Sequence, residues 1–563
     1  EIHQRSFKDA EVILETVERF PFFTPSLIEL ATRLSMTHFT SLGMVFAVMA
    51  LGIKFPPKRK SAVNQKLQQA EMGFCDSGIV DRLCSADELL FIDETRKPGN
   101  YLRATEKFLE RGLSVVVLLP HLSQIDFWVK RLSAVQAGLA VLHSELPPGR
   151  KYLEWEKILA GSARVIIGTR QAVFAPVKTG SVFLVFDEES AQHREESRLC
   201  YRTSEVTRLR REIEGAKVII SSCSPSAATF QTVTHKLITG YPQPVDKIAE
   251  DFRLSLSPNV INNIVFEELI HRIKSAPEGT HSQILFPGSG YIRSVICGKC
   301  GLLMRCGKCG IPLHFDRSII FCPDCRGELN SCPGCGASSF RFGSGGREKI
   351  ADLLKKKLGG EYPIQIIDSS DLAVDSKSRV LITPLNIYFP QRSNCEILAL
   401  LHPDILLLQN NYQNSEKFFQ TMRRCFLLLQ QKKIRSIYVF FKLLDAENLL
   451  YKCWEGQFSG NPTRFYKQEL SSRKRINYPP FGYLLKVITK AGKSASVSEL
   501  KIRLDQLTSG KAFFLPEYPG PKSGNEFQCL LSIPEDHYQK ISAELNGFLD
   551  DLPGNVKIQI EPQ

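Results

Sequence analysis

Eight of the sixteen cysteines fall between residues 297 and 335: Cys297, Cys300, Cys306, Cys309, Cys322, Cys325, Cys332 and Cys335. They form four C-x-x-C pairs with 5, 12 and 6 residues between successive pairs. One C-x-x-C turn presents two thiolates to a tetrahedral ion, and two turns complete a four-cysteine zinc site. Eight ligands therefore predict two structural zinc ions, closed to a substrate water because four thiolates leave no open position. A single C-x-x-C beside a βαβ pattern would suggest redox chemistry, whereas four in series do not. Disulfides are disfavoured in a chain of this size read as cytoplasmic, where thiols stay reduced. Spacing alone permits either sequential or nested pairing of the turns. The other eight cysteines are scattered and read as ordinary buried thiols.

A second constellation is acidic. VFDEE at 185–189 is an apolar run ending in Asp187 and Glu188, the arrangement that holds Mg²⁺ and orients an attacking water in P-loop ATPases. Taken alone it is weak, since Asp-Glu at a strand end is common. A third is basic: Lys54, Lys58, Arg59 and Lys60 form one cluster, and Arg464, Lys467, Arg473, Lys474 and Arg475 another. Such clusters neutralise phosphates irrespective of base sequence, though short charge runs are more often solvated faces. The net charge of +13 is unevenly spread, with 13 Lys+Arg against 4 Asp+Glu in residues 417–475.

The elements that must position these groups read as α/β. Buried-strand candidates SVVVLLP (114–120), ARVIIG (163–168), VFLVFD (182–187) and KVIISS (217–222) alternate with helical segments. A second set follows: HSQILFP (281–287), YPIQIID (362–368), SRVLIT (378–383), CEILALL (395–401) and IRSIYVFF (434–441), interrupted by the cysteine segment. Two parallel-sheet domains in tandem, the second carrying a zinc insert, are the simplest architecture. Residues 8–54 read as helices, with Thr24 as N-cap and Pro25 at the first helical position, and 56–73 as a polar, basic linker. The 563 residues, 43% hydrophobic and 23% charged, describe neither a disordered nor a membrane chain. The longest apolar run, at 42–53, is about half of what spans a bilayer. No leader precedes the first residue, Glu1, so the expected location is cytoplasmic with a natural N-terminus that is missing or shortened.

The segments around the acidic pair carry a family resemblance. VLHSELPPGRKYLEWEKILAGSARVIIGTRQAVFAP, then VFDEES, then KVIISSCSPSAATF resemble the first lobe of the PriA family of replication-restart helicases. The four C-x-x-C pairs resemble that family's insert in its second lobe. RINYPPFG resembles the opening of its C-terminal domain, and FTPSLIELATRLSMTHFTSLGMVFAVM the second half of its N-terminal DNA-binding domain. The resemblance implies two tandem RecA-like helicase lobes, a zinc-ribbon-like insert in lobe 2, an α+β C-terminal domain and a partial N-terminal DNA-binding domain. The boundaries expected are 1–57 for the N-terminal part, 58–85 for a linker or reduced winged-helix region, and 86–240 for lobe 1. Lobe 2 is expected at 241–296 and 337–460 around a two-zinc module at 297–336, with the C-terminal domain at 461–563. The resemblance also implies nested zinc pairing, with Cys297, Cys300, Cys332 and Cys335 on one ion and Cys306, Cys309, Cys322 and Cys325 on the other. Arg170, in the GTR of GTRQAVFAP, and both basic clusters become candidate contacts to forks and single-strand/duplex junctions. Other primosome or replication proteins become candidate partners, and no membrane is implied.

The motor residues of the family do not carry over. The segment expected to read as a glycine-rich P-loop is FIDETRKP: Lys97 stands where the phosphate-binding lysine would, Pro98 replaces the Mg²⁺-binding hydroxyl, and Asp93 and Glu94 bring negative charge. The box resembling DEEH ends in Ser190, TPLNIYFPQRS (383–393) departs from the next motif, and RRCFLLLQQ (423–431) replaces an arginine-rich one. The following loop, SAQHREESRLCYR, keeps Tyr201 as its one Phe/Tyr/Trp aromatic and carries Glu195 and Glu196. Asp187, Glu188 and Lys97 are accordingly read as remnants, and ATP with Mg²⁺ as cofactors that the erosion argues against. The leading expectation is a scaffold that binds branched DNA without ATP-driven helicase activity. Two alternatives stay open: an active 3′–5′ helicase with a divergent P-loop, and a zinc-ribbon interaction protein without fork specificity.

Overall fold

The computed structural model describes residues 22–38, 40–53, 75–93, 98–133, 138–195, 199–239, 252–255, 264–287, 295–302, 304–307, 313–316, 319–322, 327–342, 347–367, 375–385, 395–408, 412–430, 434–441 and 462–490. In the C-terminal region it describes 502, 505–506, 513–514, 518–519, 526–534, 538 and 556–561. The first helix expected near the N-terminus and the basic linker, with Lys54, Lys58, Arg59 and Lys60, lie outside these residues, as do Glu94 and Lys97.

The described chain starts with α1 (Pro25–Thr37) and α2 (Leu42–Met49). Thr24 caps α1 by accepting from the Leu27 N–H at 3.3 Å, with Pro25 in the first turn. Leu27, Leu30, Ala31 and Leu34 form its buried stripe at helical spacing. Helices α3 (Ser77–Ser85), α4 (Pro98–Glu110), α5 (Ile125–Leu132), α6 (Pro148–Leu159), α7 (Thr203–Glu214) and α8 (Ala227–Thr232) alternate with seven strands. These are β1 (Glu88–Asp93), β2 (Val115–Leu118), β3 (Leu139–Leu142), β4 (Val165–Gly168), β5 (Val182–Phe186), β6 (Lys217–Ser222) and β7 (Lys236–Thr239). They make one parallel sheet in the order β3-β4-β2-β5-β6-β1-β7. Both faces are covered, as a parallel sheet requires. Leu90, Ile92, Val116 and Leu118 join one apolar cluster, while Leu89, Phe91, Val115 and Val117 join the other.

A second parallel sheet follows, in the order β14-β15-β9-β16-β17-β8. Its strands are β8 (Phe252–Ser255), β9 (His281–Leu285), β14 (Ile364–Ile366), β15 (Val380–Thr383), β16 (Cys395–Leu401) and β17 (Ser436–Phe440), with helices α9 (Ile264–Ser275), α10 (Arg347–Leu358) and α11 (Asn414–Gln430). Between β9 and α10 the chain makes two small antiparallel pairs, β10 (Val295–Cys297) with β13 (Phe340–Phe342) and β11 (His314–Asp316) with β12 (Ile319–Phe321). Helix α12 (Thr463–Arg475) leads to an antiparallel sheet of β18 (Gly482–Lys490), β19 (Phe513–Phe514), β20 (Tyr518–Pro519), β21 (Glu526–Pro534) and β22 (Val556–Glu561). The α/β class with two parallel sheets, a cysteine-bearing insert in the second and a mixed C-terminal region is the architecture expected from the sequence. KVIISS and CEILALL coincide with β6 and β16. Strands β1, β3, β7 and β8 were not expected: β3, β7 and β8 have four residues each, and β1 runs into the segment read as a degenerate loop. Among the described residues no helix is long and apolar enough to cross a membrane.

Candidate functional site

The carboxyl ends of both parallel sheets border one cleft, the usual place for a binding site in such folds. Asp187 follows β5 in the left-handed backbone region, with φ of 51°, which Asp tolerates better than most residues. The turn sends Glu188 inward, where it is 3% exposed. Its carboxylate accepts from the Ser226 N–H, the Ser226 hydroxyl and the Thr229 hydroxyl, all at 2.8 Å, and from Ser204 Oγ at 3.5 Å. Ser226 is the N-cap of α8, so Glu188 anchors the start of that short helix.

The neighbouring Glu189 accepts from the Ser222 hydroxyl at 2.5 Å and pairs with Arg424 at 3.5 Å; Arg424 also lies 3.6 Å from Asp187. His193 is buried, donating from Nε2 to the Phe186 carbonyl at 2.7 Å and meeting Thr203 Oγ1 at 3.1 Å. Burial pushes its pKa down, which keeps the ring neutral. A cavity of 310 Å³ opens beside these groups, lined by His121, Ser190 and Arg194 from the first lobe and by Pro287, Lys417 and Gln420 from the second.

Replacing Glu188 with Ala leaves the Ser226 N–H and two hydroxyls without their acceptor inside the fold. The expected cost is about 2–4 kcal/mol, read as a lower urea midpoint, with Glu188→Gln costing less. Unchanged unfolding in both variants would remove the anchoring role.

In the insert, four sulfurs converge: those of Cys297, Cys300, Cys332 and Cys335 all lie within 4.8 Å of one another. Cys297 and Cys335 are 3.5 Å apart, and Cys300 and Cys332 3.6 Å. Four thiolates about 2.3 Å from a tetrahedral zinc stand about 3.8 Å from each other, so the set fits that ion. The two turns share one construction. The Cys297 N–H donates to Leu302 O and the Cys332 N–H to Ala337 O, both at 2.8 Å, while Gly301 and Gly336 follow each pair with φ of 75° and 71°. The backbone N–H of Cys300, with that of Lys299, faces the Cys297 sulfur and brings its thiol down to about 6. These four are the outer set of the nested arrangement; sequential pairing would have matched Cys297 and Cys300 with Cys306 and Cys309.

Cys306 and Cys322 are buried in the same small cluster, and the Cys322 N–H repeats the turn bond, to Gly327 O at 2.8 Å. Cys309 and Cys325 lie outside the described residues.

Helix α12 divides the second basic cluster. Arg464, Lys467, Lys474 and Arg475 are exposed, and all four follow one side of the helix. Arg473 corrects the expectation: it is 4% exposed, 2.7 Å from Glu416 and 2.8 Å from Glu469, with Nη1 donating to Pro479 O at 3.3 Å. Burial works against its charge, yet the two carboxylates hold its pKa above the ordinary value. Arg473 thus ties the helix down and is not presented to phosphates. Arg170 is half-buried and also ion-paired. It is 2.6 Å from Glu195 and donates to Arg194 O at 3.0 Å, bracing the loop after β5. Glu416 and Glu195 are distant in sequence from the arginines, so spacing gave no signal of them, whereas Glu469 stands one helical turn before Arg473.

No family model matches the chain. Among curated proteins it is similar to the replication restart protein PriA of Bacillus subtilis, 24% identical over 498 residues, covering 82% of this chain and 60% of the relative. The protein of that name from Chlamydia pneumoniae is 25% identical over 437 residues, covering 71% and 57%. That from Borreliella burgdorferi is 22% identical over 534 residues, covering 88% and 79%. The chain thus spans about three fifths of the length of the first two relatives. Among solved structures, RecG bound to a three-way DNA junction overlaps 73% of this chain and 47% of its own, at 12% identity and a TM-score of 0.40, too slight to carry an argument.

Proposed function

The chain belongs to the PriA family as a divergent member, and from that premise we propose that it serves replication restart by binding branched DNA as a scaffold, without ATP-driven unwinding. The observation that carries the scaffold reading is Glu188. The carboxylate that would orient water in a motor is filled by Ser226 and Thr229 donors of its own lobe. The surface we assign to phosphates is the exposed side of α12, which carries Arg464, Lys467, Lys474 and Arg475, whereas Arg473 is turned inward. Two structural zinc ions, one on Cys297, Cys300, Cys332 and Cys335 and one on the inner cysteines, complete the reading. The protein would work in the cytoplasm beside other replication proteins.

Binding to forked, duplex and single-stranded DNA over a range of salt tests this function. A preference for the fork is expected; equal weak affinity for all three would favour an interaction protein without fork specificity. Changing Arg464, Lys467, Lys474 and Arg475 together to Ala should flatten the salt slope by up to about 3–4, at ~0.9 per phosphate contact, and lower affinity at least about tenfold. An unchanged slope would move the DNA site elsewhere.

A further inference from the structure

The cleft between the two sheets is bridged by side chains that the DNA reading does not use. From the second lobe, Arg424 reaches Asp187 and Glu189 at 3.6 and 3.5 Å, and Gln420 donates to Pro225 O at 3.3 Å. Arg423, fully buried, donates from Nε to Cys223 O at 2.9 Å. From α12, the Tyr466 hydroxyl donates to Pro225 O at 2.7 Å and lies 3.3 Å from Ser224 Oγ. Its ring stacks on Phe230 with centroids 4.2 Å apart, and the adjacent Phe465 stacks on Phe419 at 3.9 Å. Burial holds the Tyr466 phenol far above its ordinary pKa, so it stays a donor.

The contacts of Gln420, Arg423 and Tyr466 converge on one stretch, Cys223 to Phe230, which holds the turn between β6 and α8, while Arg424 meets the neighbouring end of β5. The apolar cluster is continuous across it, joining Val218, Ile220 and Phe230 to Leu398, Phe418 and Tyr466. Separating the lobes would strand the buried Arg423 guanidinium and break a stacked aromatic pair, Phe230–Tyr466 or Phe419–Phe465 according to the lobe that α12 follows. A motor needs the opposite, an interface that opens and closes as ligand comes and goes.

We propose that α11, α12 and the β6–α8 turn form a permanent clasp, holding the two lobes in a single closed arrangement that nucleotide neither makes nor releases. The clasp stands apart from the DNA reading, since a rigid pair of lobes could bind any partner.

The test is a distance distribution between spin labels on genetically encoded residues at Glu110 and Lys356, both exposed, in the full chain. One narrow distribution is expected without nucleotide, with Mg·ATP and with a non-hydrolysable Mg·ATP analogue. A wild-type distribution that moves with either nucleotide overturns the clasp, whatever the DNA affinities. Arg424→Gln with Tyr466→Ala should broaden the distribution toward longer distances, and a distribution identical to wild type would equally overturn it. Where loss of Tyr466 costs the fold, judged by circular dichroism, Gln420→Ala with Arg424→Gln changes two partly exposed positions and is held to the same outcomes.

Discussion

Mixed with forked DNA, Mg²⁺ and ATP, the chain should hydrolyse nucleotide at about a thousandth or less of the rate of a working P-loop motor. A single arginine acting on the transferred phosphoryl group is worth about 10³–10⁵ in rate, and here more than one group is diverted. Arg424 faces the cleft but meets Asp187 and Glu189, whose charge opposes an incoming phosphate. Glu188 already accepts three short hydrogen bonds from Ser226 and Thr229, leaving poor geometry for a water. Pro98 opens α4 where a Mg²⁺-binding hydroxyl would be needed, and a proline there offers neither hydroxyl nor N–H. Phosphate release measured with wild type, Lys97→Ala and Glu188→Gln decides the matter. Equal background in all three is expected. DNA-stimulated turnover that either substitution abolishes would restore the active-helicase alternative.

The strand runs were legible because a parallel sheet buried on both faces writes itself as unbroken Val, Ile, Leu and Phe, as in VFLVF and KVIISS. The cysteine ligands were legible through residue type and spacing, whereas the grouping of the outer four followed only from the family resemblance. Arg473 was misread because charge runs in sequence carry no record of which cation turns inward. On α12 the stripe of Phe465, Tyr466 and Leu470 buries one side, and Arg473 falls on that side, whereas Lys474 and Arg475 do not. Helical periodicity could have separated them, since Arg473 stands three residues after Leu470. The clasp was less legible still. Arg423 and Arg424 lie in a stretch recognised only as departing from a motif, and their partners stand about 200 residues earlier. Only folding joins them.

Removing the outer zinc site should have the largest structural effect of any change in this chain. Structural zinc contributes about 10–16 kcal/mol of apparent binding free energy at neutral pH, and in small modules that is folding free energy. The insert has little else to hold it. Its buried cluster is Val295, Met304, Leu313 and Ile320 with Cys297, Cys306, Cys322 and Cys332, so half of those buried residues are cysteines. Without metal, such a core is too small to order the chain, and four converging sulfurs become a liability to oxidation.

Wild-type protein prepared under reducing conditions should carry about two zinc per chain, and Cys297→Ala or Cys335→Ala about one. Cys306→Ala should also leave about one, while combining it with Cys297→Ala should leave none; that additivity separates nested from sequential pairing, because sequential pairing puts Cys297 and Cys306 on the same ion. Protease cleavage should then concentrate between residues 295 and 342, with the two sheets intact because their clusters share no residue with that of the insert. Full zinc content in Cys297→Ala would rule out the four-thiolate site, and a double variant that still held one ion would rule out the nested arrangement.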